Sequence, residues 1–145
     1  MENVKIYTSY FGNRRNLRDY TPVAISRGVP QWYTGKVYQR VAPPYELLRQ
    51  GISRDEYLGR YLMMLDRIGF VDIWNDLTAI PKFQGKPLVL LCYESLKKPG
   101  EWCHRTMLSE WMNGFLGKEV FSEVSTVTAK TDVSSRQEVF QPTLF

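Results

Sequence analysis

Histidine and cysteine are scarce in this chain, with one His and two Cys among 145 residues. A single histidine excludes a multi-histidine metal centre. Two cysteines do not make the disulfide framework of a small secreted domain. The paired C-x-x-C spacing of zinc sites is absent. So are the phosphate loop G-x-x-x-x-G-K-[ST], the dinucleotide fingerprint G-x-G-x-x-G and the nucleophile elbow G-x-S-x-G. No cofactor and no metal are therefore expected. No apolar run approaches the roughly 20 residues that span a bilayer. The segment Met1–Lys5 has no basic flank leading into an apolar core, so no signal peptide is expected. These absences together predict a reduced, cytoplasmic protein that does not touch a membrane.

What is present is a real core and an uneven charge. Hydrophobic residues make up 43% of the chain, enough for one globular domain. Residues 1–50 carry eight Lys or Arg against three acids, a net of +5, whereas the chain as a whole carries +4. The excess is mostly arginine, whose planar fork suits phosphate or carboxylate. A solvated basic surface is the alternative explanation.

The apolar pattern alternates between strands and helices. Val4–Tyr10 is β-branched and aromatic and reads as a first strand, followed by a polar turn at Phe11–Asn16. Pro22–Ser26 reads as a second strand. Gln31–Pro44 has no clear period and reads as a long ordered loop. A short helix is expected at Tyr45–Gln50. Ser53 and Glu56 form a helix-start signature ahead of Tyr57, Tyr61, Leu62, Leu65 and Ile68 at helical spacing. Asp72–Ile80 reads as a further helix. Leu88–Cys92 is a continuous apolar run, as in a strand buried on both faces. Lys97–Gly100 reads as a loop, Cys103–Leu116 as a helix and Glu119–Val124 as a final strand. This alternation predicts one α/β domain over residues 1–125, three-layered and Rossmann-like, with a small, mainly parallel sheet. Residues 126–145 read as a flexible polar tail.

Ligands in open parallel sheets bind beyond the carboxyl ends of the strands. Three stretches are expected to meet there: Ser9–Arg15, Arg27–Pro30, and Cys92–Glu94 with the helix start Cys103-His104-Arg105. That helix start offers free N–H groups and a positive dipole end for an anion. Arg105 in the first turn opposes the dipole, and a residue that breaks a local rule is a functional candidate. Glu94 is the candidate general acid, base or nucleophile, or else the partner of a salt bridge to Arg105 or Arg27. Cys103 at a helix start is a candidate thiolate nucleophile, or else a small buried apolar residue. His104 is a candidate proton shuttle, or else forms one satisfied hydrogen bond. Cys92 reads as plain core. Adjacent Cys103 and His104 should project in different directions from a helix, which argues against a shared metal. Arg27, Arg105, Arg14 and Ser9 are the candidate phosphate contacts, and Tyr10 and Trp32 are candidate stacking platforms for a base.

These segments resemble the domain of unknown function 488 family. The resemblance is carried by Lys5-Ile6-Tyr7-Thr8-Ser9-Tyr10-Phe11, by Ile25-Ser26-Arg27-Gly28-Val29-Pro30, and by Leu90-Leu91-Cys92-Tyr93-Glu94 with Cys103-His104-Arg105. Members typically carry a strand ending in Cys-x-Glu and then Cys-His-Arg opening a helix. The match runs in order over roughly residues 4–124. It implies a small single α/β domain with its site at the paired motif, and it implies no particular reaction. One departure is that many members have an aspartate just ahead of the arginine of the second segment, where this chain has Ile25-Ser26.

The chain ends in Gln141-Pro142-Thr143-Leu144-Phe145. This is similar to the Q-x-x-L-F peptide with which bacterial replication and repair proteins engage the sliding clamp. Gln141 would anchor through its amide, and Leu144 and Phe145 would fill an apolar pocket. Chance, or docking on the protein's own surface, is the alternative.

Three functional expectations follow. The first is a small enzyme acting on a phosphate-bearing substrate, a nucleotide or nucleic acid, through Glu94 and the arginines. The second is a non-catalytic nucleic-acid-binding accessory protein tethered to a sliding clamp. The third is a thiol or metal sensor, which requires the sulfurs of Cys92 and Cys103 to lie close together.

Overall fold

Five consecutive residues, Leu88–Cys92, are all buried. They form strand β4 at the centre of a computed structural model that describes residues 4–48, 51–96 and 101–125. Strands β1 (Ile6–Tyr10) and β2 (Thr21–Ala24) flank it, and β3 (Lys36–Val37) and β5 (Phe121–Glu123) close the edges. The order is β3-β2-β4-β1-β5. Every pairing is parallel, with Tyr10 beside Cys92 and Ala24 beside Leu91. A central parallel strand meets packing on both faces, which is why Leu88–Cys92 shows no alternation.

The faces separate by residue parity, as a strand's period of two requires. Ile6, Val23, Leu88 and Leu90 join the larger core with helices α1 (Arg54–Ile68), α2 (Phe70–Thr78) and α3 (His104–Leu116). Ala24, Val89 and Leu91 join a smaller core with Phe11, Leu17 and Val124. Among the described residues the three α-helices thus share one face. The opposite layer is thin and is built around a 3-10 helix, Phe11–Asn16. No described helix is long and apolar enough to cross a membrane.

The expected elements appear with shifted limits. The unpatterned span Gln31–Pro44 holds the edge strand β3 and a 3-10 turn at Gln39–Val41. Both β3 residues are exposed, so no apolar signal marked them. The helix expected from Tyr45 is a 3-10 turn, Tyr45–Leu47. Ser53 caps α1 as expected, accepting from the Glu56 N–H at 3.1 Å. Helix α2 starts at Phe70 because Gly69, at φ 97°, ends α1 and turns directly into the next helix. The loop expected at 97–100 and the tail 126–145, with Gln141, Leu144 and Phe145, lie outside the described residues.

Two local devices fix β5. Gly117 terminates α3 at φ 71° in the left-handed region, its N–H bonded to the Asn113 carbonyl. The Asn113 side chain then accepts from the N–H groups of Val120 and Phe121, both at 2.9 Å, and donates to the Phe121 carbonyl at 2.9 Å. The end of α3 is thereby stitched to the start of β5.

Leu90 is fully buried in the larger core. Leu90→Ala is expected to lower unfolding free energy by about 2–5 kcal/mol, measured by urea denaturation. A loss below about 1 kcal/mol would mean that this strand is not the packing centre.

Candidate active site

The sheet order places a switch of chain direction beside β4. After β2 the chain moves outward to β3, and after β4 it crosses β1 to reach β5. Crevices at such points are where open α/β sheets bind ligands. A cavity of about 400 Å³ lies there, lined by Ser26, Arg27 and Gly28 after β2, by Cys92, Tyr93 and Glu94 after β4, and by Cys103 and His104 at the start of α3. Its size falls within the usual range for small-molecule sites.

Cys103 is the N-cap of α3, with extended backbone at φ −151° and ψ 153°. Because it is not itself helical, its side chain converges with that of His104. The Cys103 Sγ lies 3.6 Å from the His104 Nδ1 and 3.2 Å from the Glu94 Oε1, to which the reduced thiol can donate. The divergence expected of adjacent helical residues does not apply. Glu94 stands exposed at the mouth of the cavity, while Cys92, Cys103 and His104 are buried.

The His104 Nε2 lies 2.8 Å from the Ile25 carbonyl oxygen. A carbonyl only accepts, so Nε2 carries the proton and Nδ1 presents its lone pair toward Cys103. Burial, with the nearby Arg105 charge adding to it, pushes the imidazole pKa down to about 4, against a smaller opposing effect of the Ile25 bond. His104 is therefore a neutral ring, fixed in one tautomer.

Cys92 is more than plain core. It ends β4, and its Sγ lies within bonding distance of that of Cys103, so the two are free thiols only in the reduced protein. The two Cα atoms are 7.8 Å apart, wider than the roughly 4.4–6.8 Å usual for a disulfide. The Sγ atoms of Cys92 and Cys103 and a ring nitrogen of His104 all lie within 4.8 Å of one another.

Arg105 has a different place from the one its sequence position suggested. Its side chain is fully buried and does not line the cavity. The Nε donates to Glu123 Oε1 and Oε2 at 3.0 and 3.2 Å, and Nη2 donates to Oε2 at 2.8 Å. The Nη1 donates to the Cys92 Sγ at 3.0 Å and to the Glu94 carbonyl at 2.6 Å. All three nitrogens are engaged within the protein, so the guanidinium positions β4, β5 and the Glu94 loop rather than presenting itself to a phosphate. A salt bridge from Glu94 to Arg105, one alternative to a chemical role for Glu94, is not formed; Arg105 pairs with Glu123. Thr8 holds that carboxylate from the other side, donating to Oε1 at 2.6 Å.

Arg27 does border the cavity. Its Nε and Nη2 donate to the carbonyls of Pro43 and Ala42 at 3.1 and 3.0 Å. These bonds fix the fork and leave Nη1 as its remaining donor among the described residues. Tyr57 and Trp102 also line the cavity. Tyr57 read from sequence as part of the apolar face of its helix and is buried at 5% exposure, whereas Trp102 carried no sequence signal of its own. The Tyr57 phenol is raised well above the ordinary tyrosine range, first by burial and then by the Glu94 carboxylate, so it stays protonated as a donor.

The stretch after β1 does not join this cavity. Tyr10 and Arg14 line a separate open depression with Arg15 and Arg18. The Arg14 guanidinium stacks 4.2 Å over the Trp32 ring, and Trp32 also meets Phe11 edge-on. Ser9 is buried and accepts from the Asn13 amide at 3.1 Å. The described sequence candidates therefore separate, with Arg105 and Ser9 buried and lining neither depression. Glu94, Cys103, His104 and Arg27 come together, while Arg14, Tyr10 and Trp32 form another surface. No protein-family model, curated protein or solved structure matches this chain.

Removing one member of a buried ion pair leaves the other uncompensated. Glu123 is partly exposed at 39%, which moderates the penalty. Glu123→Ala is expected to destabilise the fold by roughly 2–4 kcal/mol, with Glu123→Gln losing less because it keeps one acceptor. Equal stability of Glu123→Ala and the parent in urea would show that Arg105 does not rely on this carboxylate.

Proposed function

We propose that the protein is a small enzyme acting on a phosphate-bearing substrate, a nucleotide or a nucleic acid, with Glu94 as acid–base group or nucleophile. The observation that carries this reading is the meeting of Glu94 with Cys103 at 3.2 Å in a cavity that Arg27 also borders. A carboxylate beside a thiol provides a proton acceptor next to a nucleophile, the arrangement that activated cysteines use. The positive end of α3 opens on the same space and favours an anion. Arg27 supplies the phosphate contact, and Tyr57 and Trp102 supply aromatic walls. The resemblance to the domain of unknown function 488 family supports the location, since the paired motif supplies Glu94, Cys103 and His104.

A second reading, a non-catalytic nucleic-acid-binding accessory protein, is favoured by the separate basic depression. There Arg14, Arg15 and Arg18 lie beside Tyr10, and Arg14 stacks on Trp32. Backbone charge neutralisation with an aromatic platform is how single strands are held. Engagement of a sliding clamp by Gln141, Leu144 and Phe145 belongs to this reading.

A thermal-shift screen against nucleotides, nucleosides, phosphosugars and short DNA and RNA separates the two. A small-molecule hit that stabilises the parent is expected to lose at least about tenfold in affinity in Arg27→Ala and to persist in Glu94→Gln. Turnover of that ligand is expected to fall by about 100-fold or more in Glu94→Gln. Unchanged turnover would remove Glu94 from the chemistry. A salt-sensitive polymer hit weakened by Arg14→Ala, with Arg27→Ala unaffected, would favour the second reading.

A further inference from the structure

We propose that Cys92, Cys103 and His104 form a site for one zinc-class divalent cation at the base of the cavity, with the fourth coordination position facing Glu94. The three residues come from two elements that the fold brings together: Cys92 from the carboxyl end of β4, and Cys103 and His104 from the cap and first residue of α3. Their donor atoms already lie within 4.8 Å of one another, and all three residues are buried. Two thiolates and a neutral imidazole are the soft donor set that selects zinc over magnesium or calcium, and a three-ligand set with one open position is the pattern of catalytic zinc.

The surroundings match what metal ligands need. The His104 Nε2–H is held by the Ile25 carbonyl at 2.8 Å, which aims the Nδ1 lone pair at the cluster. Outer contacts of this kind set ring orientation in metal sites. The Arg105 Nη1 donates to the Cys92 Sγ at 3.0 Å, a bond that favours the thiolate. The Cα separation of 7.8 Å between Cys92 and Cys103 leaves room for the two sulfurs to part around an ion, whereas it exceeds the roughly 4.4–6.8 Å usual for a direct bridge. The fourth position opens on a ligand-sized cavity, with the Glu94 Oε1 3.2 Å from the Cys103 Sγ. A cysteine–cysteine–histidine ion with a flanking glutamate is the constellation that hydrolytic zinc enzymes of the deaminase type use to activate water. The site therefore deepens the enzyme reading of the same cavity, keeping Glu94 as the acid–base group and making Cys103 a ligand rather than the nucleophile. Its test is read without substrate, so its failure and the failure of that reading are distinguishable.

The full chain, purified with a non-thiol reductant and stripped by chelator, is titrated with cobalt(II) and zinc(II). One equivalent of cobalt is expected to bind with near-ultraviolet thiolate charge-transfer bands and tetrahedral visible bands, and zinc is expected to displace it. Zinc is expected to raise the melting temperature of the stripped parent and to protect both thiols from alkylation. Cys103→Ser and His104→Gln are expected to weaken cobalt binding by at least about tenfold, and Arg105→Lys by about 10–100-fold, with Glu94→Gln retaining one equivalent. Circular dichroism checks that each variant folds, and the zinc-dependent melting shift of the parent needs no variant. Uptake below about a tenth of an equivalent by the folded, reduced parent would overturn the proposal. So would cobalt bound without thiolate bands, or a pair of thiols that zinc leaves fully reactive and mild oxidation closes into a bridge.

Discussion

The burial of one guanidinium organises the carboxyl edge of this sheet. Arg105 leaves the first turn of α3, where its charge opposes the helix dipole, and is completely enclosed. An enclosed cation must have partners in every direction in which it can donate. Those partners come from three places: the Glu123 carboxylate on β5, the Cys92 sulfur on β4, and the Glu94 carbonyl on the loop beyond. Satisfying Arg105 thus fixes the relative positions of two strand ends, one loop and one helix start. The site-forming side chains are the neighbours of these anchored atoms.

From that constraint the cavity follows. Cys92 is set by β4, and Cys103 caps α3 with its Sγ against that of Cys92. His104 is the first helical residue and reaches back to the Ile25 carbonyl just past β2. The floor of the cavity is therefore tied to β2, β4 and α3 together, while its mouth carries the exposed Glu94 and the half-buried Arg27. Within the mouth loop, Leu96 holds φ 59°, a left-handed conformation that is uncommon for such a residue and is often found near functional sites. A rigid base beneath a more exposed rim is the arrangement expected of a preorganised site.

The sequence made the layout legible where periodicity was strong. Leu88–Cys92 read as a doubly buried strand because it is continuously apolar, and Ser53 with Glu56 marked the start of α1. The small α/β class followed from the alternation of such elements. Strand order was not legible, and this explains the main shift at the site. Arg105 announced its need for a carboxylate, yet its partner Glu123 sits 18 residues later on a strand that neighbours β1 rather than β4. The convergence of Cys103 and His104 was hidden for a local reason. One residue of cap geometry decides whether adjacent side chains diverge or meet, and spacing alone does not reveal it. The basic first third read as one surface, but β2 sends Arg27 to the cavity while the turn after β1 sends Arg14 to the opposite, thinner layer.

Arg105 holds the Cys92–Glu94 segment in register with the start of α3. Hydrogen exchange of Arg105→Lys tests it most directly, since lysine keeps the charge but has no fork to reach three partners. Faster exchange is expected only at residues 92–94, 103–106 and 121–124, with Leu88–Leu90 and α1 still protected. Unchanged protection at residues 92–94 and 103–106 in a folded variant would contradict it.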